Sequence, residues 1–388
     1  MFALHCASGG IMGLSSQFLA RGIAAAALLL VVLPAHADEL ADANAKVLTD
    51  PGNADLNLDY ALIAEGKGKY RLALAAYERV LLNHPDNTAA KKGLMRVRRI
   101  IQPPQTQVFL DFGSRWESNI EHRPDDEEDA FVGYARATVK DERAINGRRW
   151  RTVGTAYGEI NSETDELNYG YLSGTVGPLI DFGSPMMTLY PALGGMVAMA
   201  DDRFYYADLN VSATFEGYLE GAYQWVRFRA GYRQYDDELT SDDGYYLDAT
   251  GRLARSDVLA ENDSVSISPT LRWNDVDGTF TDALDRDFSP GKYLLGGVKL
   301  AYDKVVNDLI VVGASFTVMG RYFNDDETPD GDNREDWTYS PGASILFRDV
   351  FGPQTGLRFD YRYDYNDSND SDHDYDNHAI GVAVTVRR

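Results

Sequence analysis

Residues 357 to 367 read LRFDYRYDYND, with Leu357, Phe359, Tyr361, Tyr363 and Tyr365 alternating with Arg358, Asp360, Arg362 and Asp364. Successive side chains of a strand point to opposite faces. One face of this segment is therefore apolar and aromatic, and the other is a ladder of alternating charge. The pattern admits two folds. In a soluble sandwich the apolar face meets a core. In a membrane barrel it meets lipid, and the charges line a wet interior.

Alternation of this kind starts at Thr106 and recurs in fourteen runs, near 108–120, 130–143, 148–161, 168–180, 186–200, 204–219, 222–236, 244–255, 263–274, 291–303, 308–323, 336–348, 356–366 and 377–387. Each is long enough for a tilted spanning strand. The links between runs alternate in character. Odd-to-even links are mostly acidic and several are long, such as EHRPDDEED, DDELTSDDG and NDSNDSDHDYDN. Even-to-odd links are mostly shorter, such as INGR and LEG, and Asn146-Gly147 is a tight hairpin signal. Outer-membrane barrels have an even strand number with short turns at one end and long loops at the other. A soluble sandwich has no reason to segregate its loops, so the expectation is a mainly β, fourteen-stranded antiparallel transmembrane barrel. The tyrosines of LRFDYRYDYND then face lipid. The last run ends VAVTVRR, without the terminal aromatic residue such barrels often carry.

No run in the mature chain approaches the roughly 20 apolar residues of a spanning helix. Arg21, the apolar run from Gly22 to Leu33 and Ala35-His36-Ala37 read as a secretory signal peptide over residues 1–37, with Met12 as an alternative start. The expected location is the outer membrane, with the amino-terminal segment in the periplasm. The only cysteine, Cys6, lies in that signal. Disulfides, cysteine metal sites and a cysteine nucleophile are therefore excluded from the mature chain. A formal net charge of -23 argues against a nucleic-acid partner.

Residues 38–101 differ from the rest, being rich in Ala, Leu and Lys and poor in aromatics. Asp50-Pro51-Gly52-Asn53 recurs as His84-Pro85-Asp86-Asn87, at the 34-residue tetratricopeptide period. Ala61, Gly68, Tyr70, Ala73, Tyr77 and Pro85 occupy that repeat's small, turn, aromatic and terminal positions. One repeat is complete, flanked by half-repeats. Residues 102–107, opening on Gln102-Pro103-Pro104, form a linker because proline cannot continue a helix. The barrel is expected over 108–388.

The candidate functional residues lie on the charged faces. Arg115, Arg227, Arg229, Arg233, Arg321, Arg358, Asp360 and Arg362 are expected to line the lumen, joined by Lys140, Arg151, Arg252, Arg272 and Lys299. An arginine wall favours anions. The competing expectation is a lumen closed by salt bridges, with Asp111, Asp248, Asp360 and Asp364 as partners. His373, among carboxylates, is read as a solvated loop residue. No catalytic motif occurs, and neither an enzyme, a cofactor nor a metal site is expected. The acidic loops carry oxygen ligands but lack the EF-hand pattern.

In architecture, and at Gly113, Ser118, Asn119 and Ile120 of the opening strand LDFGSRWESNI, the chain resembles the surface lipoprotein assembly modifier family. That resemblance implies translocation of a partner lipoprotein or secreted protein to the cell surface, with outer-membrane lipids and a periplasmic chaperone as further partners. The repeat segment here is much shorter than that family's array. The alternatives are an exopolysaccharide export porin and a passive diffusion porin.

Overall fold

The computed structural model describes residues 39–388 except 126, 182–186, 220, 237–241, 279 and 282–286. The expected signal peptide lies outside the described residues. The chain forms two compact units that divide between Val97 and Arg98.

The first unit is helical, with α1 (Glu39–Thr49), α2 (Ala54–Gly66), α3 (Tyr70–Asn83) and α4 (Thr88–Ile101), the last of which runs on past the division. The recurring tetrapeptides start helices. Asn53 Oδ1 accepts from the backbone N–H of Asp55 and Leu56 at 3.1 and 3.2 Å, and Asn87 Oδ1 accepts from Ala90 N–H at 2.9 Å. Each satisfies donors that a helix start leaves orphaned. Gly68 turns the chain between α2 and α3 at φ 70°, a conformation glycine adopts without a Cβ penalty. Ala61, Ala73 and Tyr77 are buried in the helical core, Tyr70 packs against that core, and Pro85 is exposed beyond the end of α3. Gly93 of α4 lies flat on the Tyr77 ring, where a Cβ would come within 2.3 Å of it.

The second unit is a closed antiparallel barrel. Among the described residues fourteen long strands follow in order: β1 (Gln105–Glu117), β2 (Ala130–Ile145), β3 (Arg148–Asn161), β4 (Tyr169–Pro178), β5 (Met187–Ala200), β6 (Arg203–Leu219), β7 (Ala222–Tyr235), β8 (Gly244–Ser256), β9 (Asp263–Val276), β10 (Tyr293–Asn307), β11 (Ile310–Glu327), β12 (Asn333–Arg348), β13 (Thr355–Ser368) and β14 (Tyr375–Arg387). Each pairs with its sequence neighbours, and β14 pairs with β1 from Phe109 opposite Arg387 to Glu117 opposite Ala379. Closure removes every free strand edge, which is the requirement for a sheet that crosses lipid. The strand begins earlier than the expected boundary at 108. Gln105 to Gln107 pair with Glu142 to Lys140 of β2, so the linker shrinks to Gln102–Pro104.

The outer face is apolar and uncovered. Phe112 on β1, Leu271 on β9, Phe316 on β11 and Ile345 on β12 are all exposed. On β13, Phe359, Tyr361 and Tyr365 are exposed at 41–46 %, and Tyr363 is half-covered by the His378 ring, with centroids 4.8 Å apart. The inner face carries the charges of the same strands. At the end where β1 is completed, the links are residues 118–129, 162–168, 201–202, 236–243, 277–292, 328–332 and 369–374. The long acidic segments lie there, with Asp201-Asp202 and residues 328–332 as its shorter links.

Candidate functional site

The interior is built by register. Directly paired residues run Ser212, Arg229, Asp248, Arg272, Leu295, Arg321, Asp336 and Ser368 across eight strands from β6 to β13. Because side chains alternate strictly, the whole row faces inward. Asp248 sits between two arginines. It accepts from Arg229 Nε at 3.0 Å and from Arg272 Nη2 at 3.3 Å, and its side chain is almost fully buried. One pair further along β7, Arg227 faces Thr250 and donates to its Oγ1 at 3.3 Å. Arg233 faces Asp208 of β6, with nitrogen and oxygen 3.7 Å apart.

Tyr246 of β8 organises this patch. Its ring lies over Gly231, where a Cβ would come within 2.6 Å, and it meets the guanidinium groups of Arg229 and Arg233 at 5.1 and 4.7 Å. Gly231 thus makes room for a ring that holds two cations by its π face. Four guanidinium groups here share two carboxylates. The Nε atoms of Arg227, Arg233 and Arg272 are buried without a hydrogen-bond partner. Buried donors of this kind need an acceptor from solvent or a solute.

The other expected lumen residues divide. Arg115 is paired with Glu117 and with Glu159 at 3.0 Å. Arg358 reaches Asp360 at 3.1 Å and Asp111 at 3.8 Å, and Arg362 reaches Asp364 at 2.7 Å. Lys140 pairs with Glu142 at 3.1 Å, and Arg151 with Glu216 at 3.0 Å. Around β1–β3 and β13 the wall is therefore neutralised in the way the salt-bridge expectation describes. Arg321 instead lies between the rings of Tyr293 and Phe323, at 5.0 and 5.7 Å, and Arg252 donates to Ser266 Oγ at 3.3 Å. Sequence reading missed Asp208, Glu142, Glu159 and Glu216 as partners, and Gly231 and Tyr246 as the organisers of the arginine patch. The alternation placed each on the inward face, but strand stagger decides which charges meet.

The interior holds cavities. One, of about 630 Å³, is lined by Ser268, Lys299, Asp303, Ser315, Ser344 and Arg362 among others. A second, of about 410 Å³, is lined by His122, Arg321, Arg334, Asp336, His373 and Tyr375 among others. Arg136, Arg252 and Lys299 face inward and are nevertheless exposed, and the Arg362 side chain is 52 % exposed. His373, expected in a solvated loop, lies within 3.4 Å of Asp370. Among the described residues no group of three or more His, Cys, Asp or Glu is placed to hold a metal ion.

Gly113, Ser118 and Asn119 have a different task, at the β1–β14 seam. Gly113 lets the strands meet, since a Cβ there would fall 2.1 Å from the Val382 carbonyl oxygen. The Ser118 Oγ accepts from His378 N–H at 2.8 Å. Asn119, fully buried, donates to the carbonyls of Arg123 and Asp376 at 2.7 and 3.1 Å and accepts from Arg123 N–H at 3.0 Å. Asn377 completes the lock by donating to Glu117 at 2.8 Å and accepting from Asn119 N–H at 3.1 Å. The next residue, Ile120, donates its N–H to the Glu128 carbonyl at 2.9 Å.

No family model matches the chain, and no curated protein matches it. Similar solved structures include OccAB4 of Acinetobacter baumannii, at 8 % identity and a TM-score of 0.36, covering 74 % of this chain and 99 % of that one. A loop-deletion mutant of OmpT, an outer membrane protein of Vibrio cholerae, matches at 8 % identity and a TM-score of 0.38, covering 74 % and 100 %. The outer membrane protein OpdK of Pseudomonas aeruginosa matches at 8 % and 0.35, covering 73 % and 99 %.

Proposed function

We propose that the chain is a passive outer-membrane diffusion channel that favours anions. The observation that carries this reading is the contrast between the two faces of the closed barrel. Outside is an exposed apolar belt, and inside is a polar wall on which the β7–β9 guanidinium groups exceed their carboxylates. One uncompensated guanidinium about 4 Å away attracts a monovalent anion by about 1 kcal/mol in a water-like medium and about 4 kcal/mol at an effective dielectric of 20. Either value biases permeation toward anions.

No observation on the barrel favours translocation of a protein cargo. Gly113, Ser118, Asn119 and Ile120, which carry that resemblance, act at the first strand and the loop it leads into, and so speak for a barrel rather than for a cargo. The helical unit is read as one tetratricopeptide-type repeat between half-repeats, on the strength of the Asn53 and Asn87 caps one period apart.

The test is conductance of the purified full chain in a planar bilayer under a potassium chloride gradient. Steady conductance with a reversal potential displaced toward that of chloride is expected. Arg227→Gln removes a guanidinium that has no carboxylate partner among the described residues, and is expected to shift the reversal potential toward zero with the barrel intact. A folded barrel that passes no current would sink the reading.

A further inference from the structure

The two interior cavities lie end to end on the same strands. On β10, Leu295 lines the smaller and Lys299 the larger, and Gly297 is the one inward residue between them. On β11, Thr317 separates Met319 from Ser315, and on β12, Ser340 separates Thr338 from Gly342. Asp364 has the same place on β13, between Arg362 and Asn366. Inward side chains of a strand are two residues apart, so a single tier of side chains divides the two spaces. Most of that tier is small, since Gly297 has no side chain and Thr317 and Ser340 are short. What crosses it is Met319. Its side chain lies over Gly297, where a Cβ would fall 2.5 Å from the Met319 Cγ. Methionine is unbranched, with three rotatable bonds, so this side chain can swing while the backbone stays in place.

The two sides of the lumen are built differently. Around the larger cavity, β9–β12 turn Ser268, Ala301, Gly313, Ser315, Gly342 and Ser344 inward. All six are partly open to the interior, because their short side chains cannot reach across it. On the far side of the ring of strands, Tyr190 and Ala192 of β5 and Tyr206, Asp208 and Asn210 of β6 also face inward by register. Those five are nevertheless buried. The Arg151 guanidinium lies over the Tyr190 ring at 5.0 Å, and that of Arg233 over the Tyr206 ring at 5.3 Å. Side chains fill the lumen there, as small barrels are filled by their own residues. A crossing solute therefore finds room along β9–β13 and is excluded from β5 and β6.

We infer that permeation follows an off-axis path along β9–β13, through both cavities, and that Met319 is the residue that sets its width where they meet. This inference rests on the channel reading above and supplies its route. The guanidinium patch borders the path at the same tier. Arg227 pairs with Thr250, Thr250 with Thr270, and Thr270 with Gly297. A solute that passes Met319 thus passes along the row that Arg227 begins. Width is selected by the methionine and charge by the arginine, on neighbouring parts of one wall.

Single-channel recording of the full chain in a planar bilayer tests the route in two ways. Met319→Ala shortens the side chain that crosses the tier and is expected to raise the unit conductance. Cys6 is the only native cysteine, so in a Cys6→Ser background each single-cysteine variant reports one place. Ser315→Cys marks the larger cavity, Thr338→Cys the smaller, and Ala192→Cys the filled side. Sulfonatoethyl methanethiosulfonate attaches a bulky anion to a thiol it can reach. The expected result is loss of most of the current in Ser315→Cys and Thr338→Cys, and no loss in Ala192→Cys. Unchanged conductance in Met319→Ala, or block in Ala192→Cys equal to that in Ser315→Cys, would overturn the route and leave the channel reading standing. A parent chain that carries no current would overturn the channel reading itself.

Discussion

At the scale of single residues, the barrel depends on a few polar groups that close it. Asn119 is fully buried and makes four hydrogen bonds, two to Arg123 in its own link and two, to Asn377 and Asp376, across the point where the first strand meets the last. Asn119→Ala would leave the Arg123 N–H and the Asp376 carbonyl without these partners. A buried group left unsatisfied costs about 1–3 kcal/mol. The midpoint for urea unfolding of the refolded barrel should fall accordingly, and Asn119→Asp, which keeps the acceptor for Arg123 N–H but sets a buried carboxylate against the Arg123 and Asp376 carbonyls, should lose at least as much. An unchanged midpoint in Asn119→Ala would show that the seam is held elsewhere. The residues themselves were legible in the sequence as a motif. Their role was not, because it depends on Asn377, which lies 258 residues away and reaches Asn119 only when the barrel closes.

At the scale of elements, two segments outside the spanning strands respond to pH in opposite directions. In the helical unit the Tyr77 hydroxyl donates to Glu65 at 2.9 Å, and Arg96 Nη2 donates to the same carboxylate at 2.7 Å. Burial, and then the Glu65 charge, push the phenol from its ordinary value up to about 12. A raised value means that this contribution is complete below pH 10 and is lost as pH rises toward 12. Urea unfolding of the full chain followed by helical dichroism should therefore weaken over that window, and Tyr77→Phe should flatten the dependence at a cost of about 1 kcal/mol below pH 10. In the first long link, His122 stacks on Tyr375 with ring centroids 4.5 Å apart. Burial holds this imidazole below its ordinary 6.5. The released loop binds the proton more readily, so the stacked form is favoured above pH 6.5 and weakens as pH falls through the lower, folded value. Amide exchange in residues 118–125, corrected for intrinsic rate, should accelerate between pH 7.5 and pH 5. His122→Phe should abolish that step. The helix starts at Asn53 and Asn87 were legible because capping is local in sequence. The stacking of His122 was not, since a loop's path over a barrel mouth leaves no periodic trace.

At the scale of the whole molecule, all fourteen strands and both of their faces were legible, because a period of two is fixed by backbone geometry and survives any tertiary arrangement. Stagger is different. Arg229 and Arg272 meet Asp248 because β7, β8 and β9 are offset by particular amounts, and those offsets come from closing the barrel rather than from any one strand. The sequence therefore shows which charges face inward but not which of them neutralise one another. The proposed anion preference depends on that difference, and it has a whole-molecule signature. Charges lining a wet lumen act through screened fields, with a Debye length of about 10 Å at 0.1 M salt and about 3 Å at 1 M. A passing chloride seldom comes within 3 Å of a wall cation, so the anion-to-cation permeability ratio should fall toward unity as salt rises over that range. The acidic links at the other end repel anions over the same distance. Selectivity should therefore be strongest at low salt and should lessen most in Arg227→Gln. A ratio that stays constant from 0.1 to 1 M would mean that ions pass in contact with the guanidinium groups, through a narrow constriction.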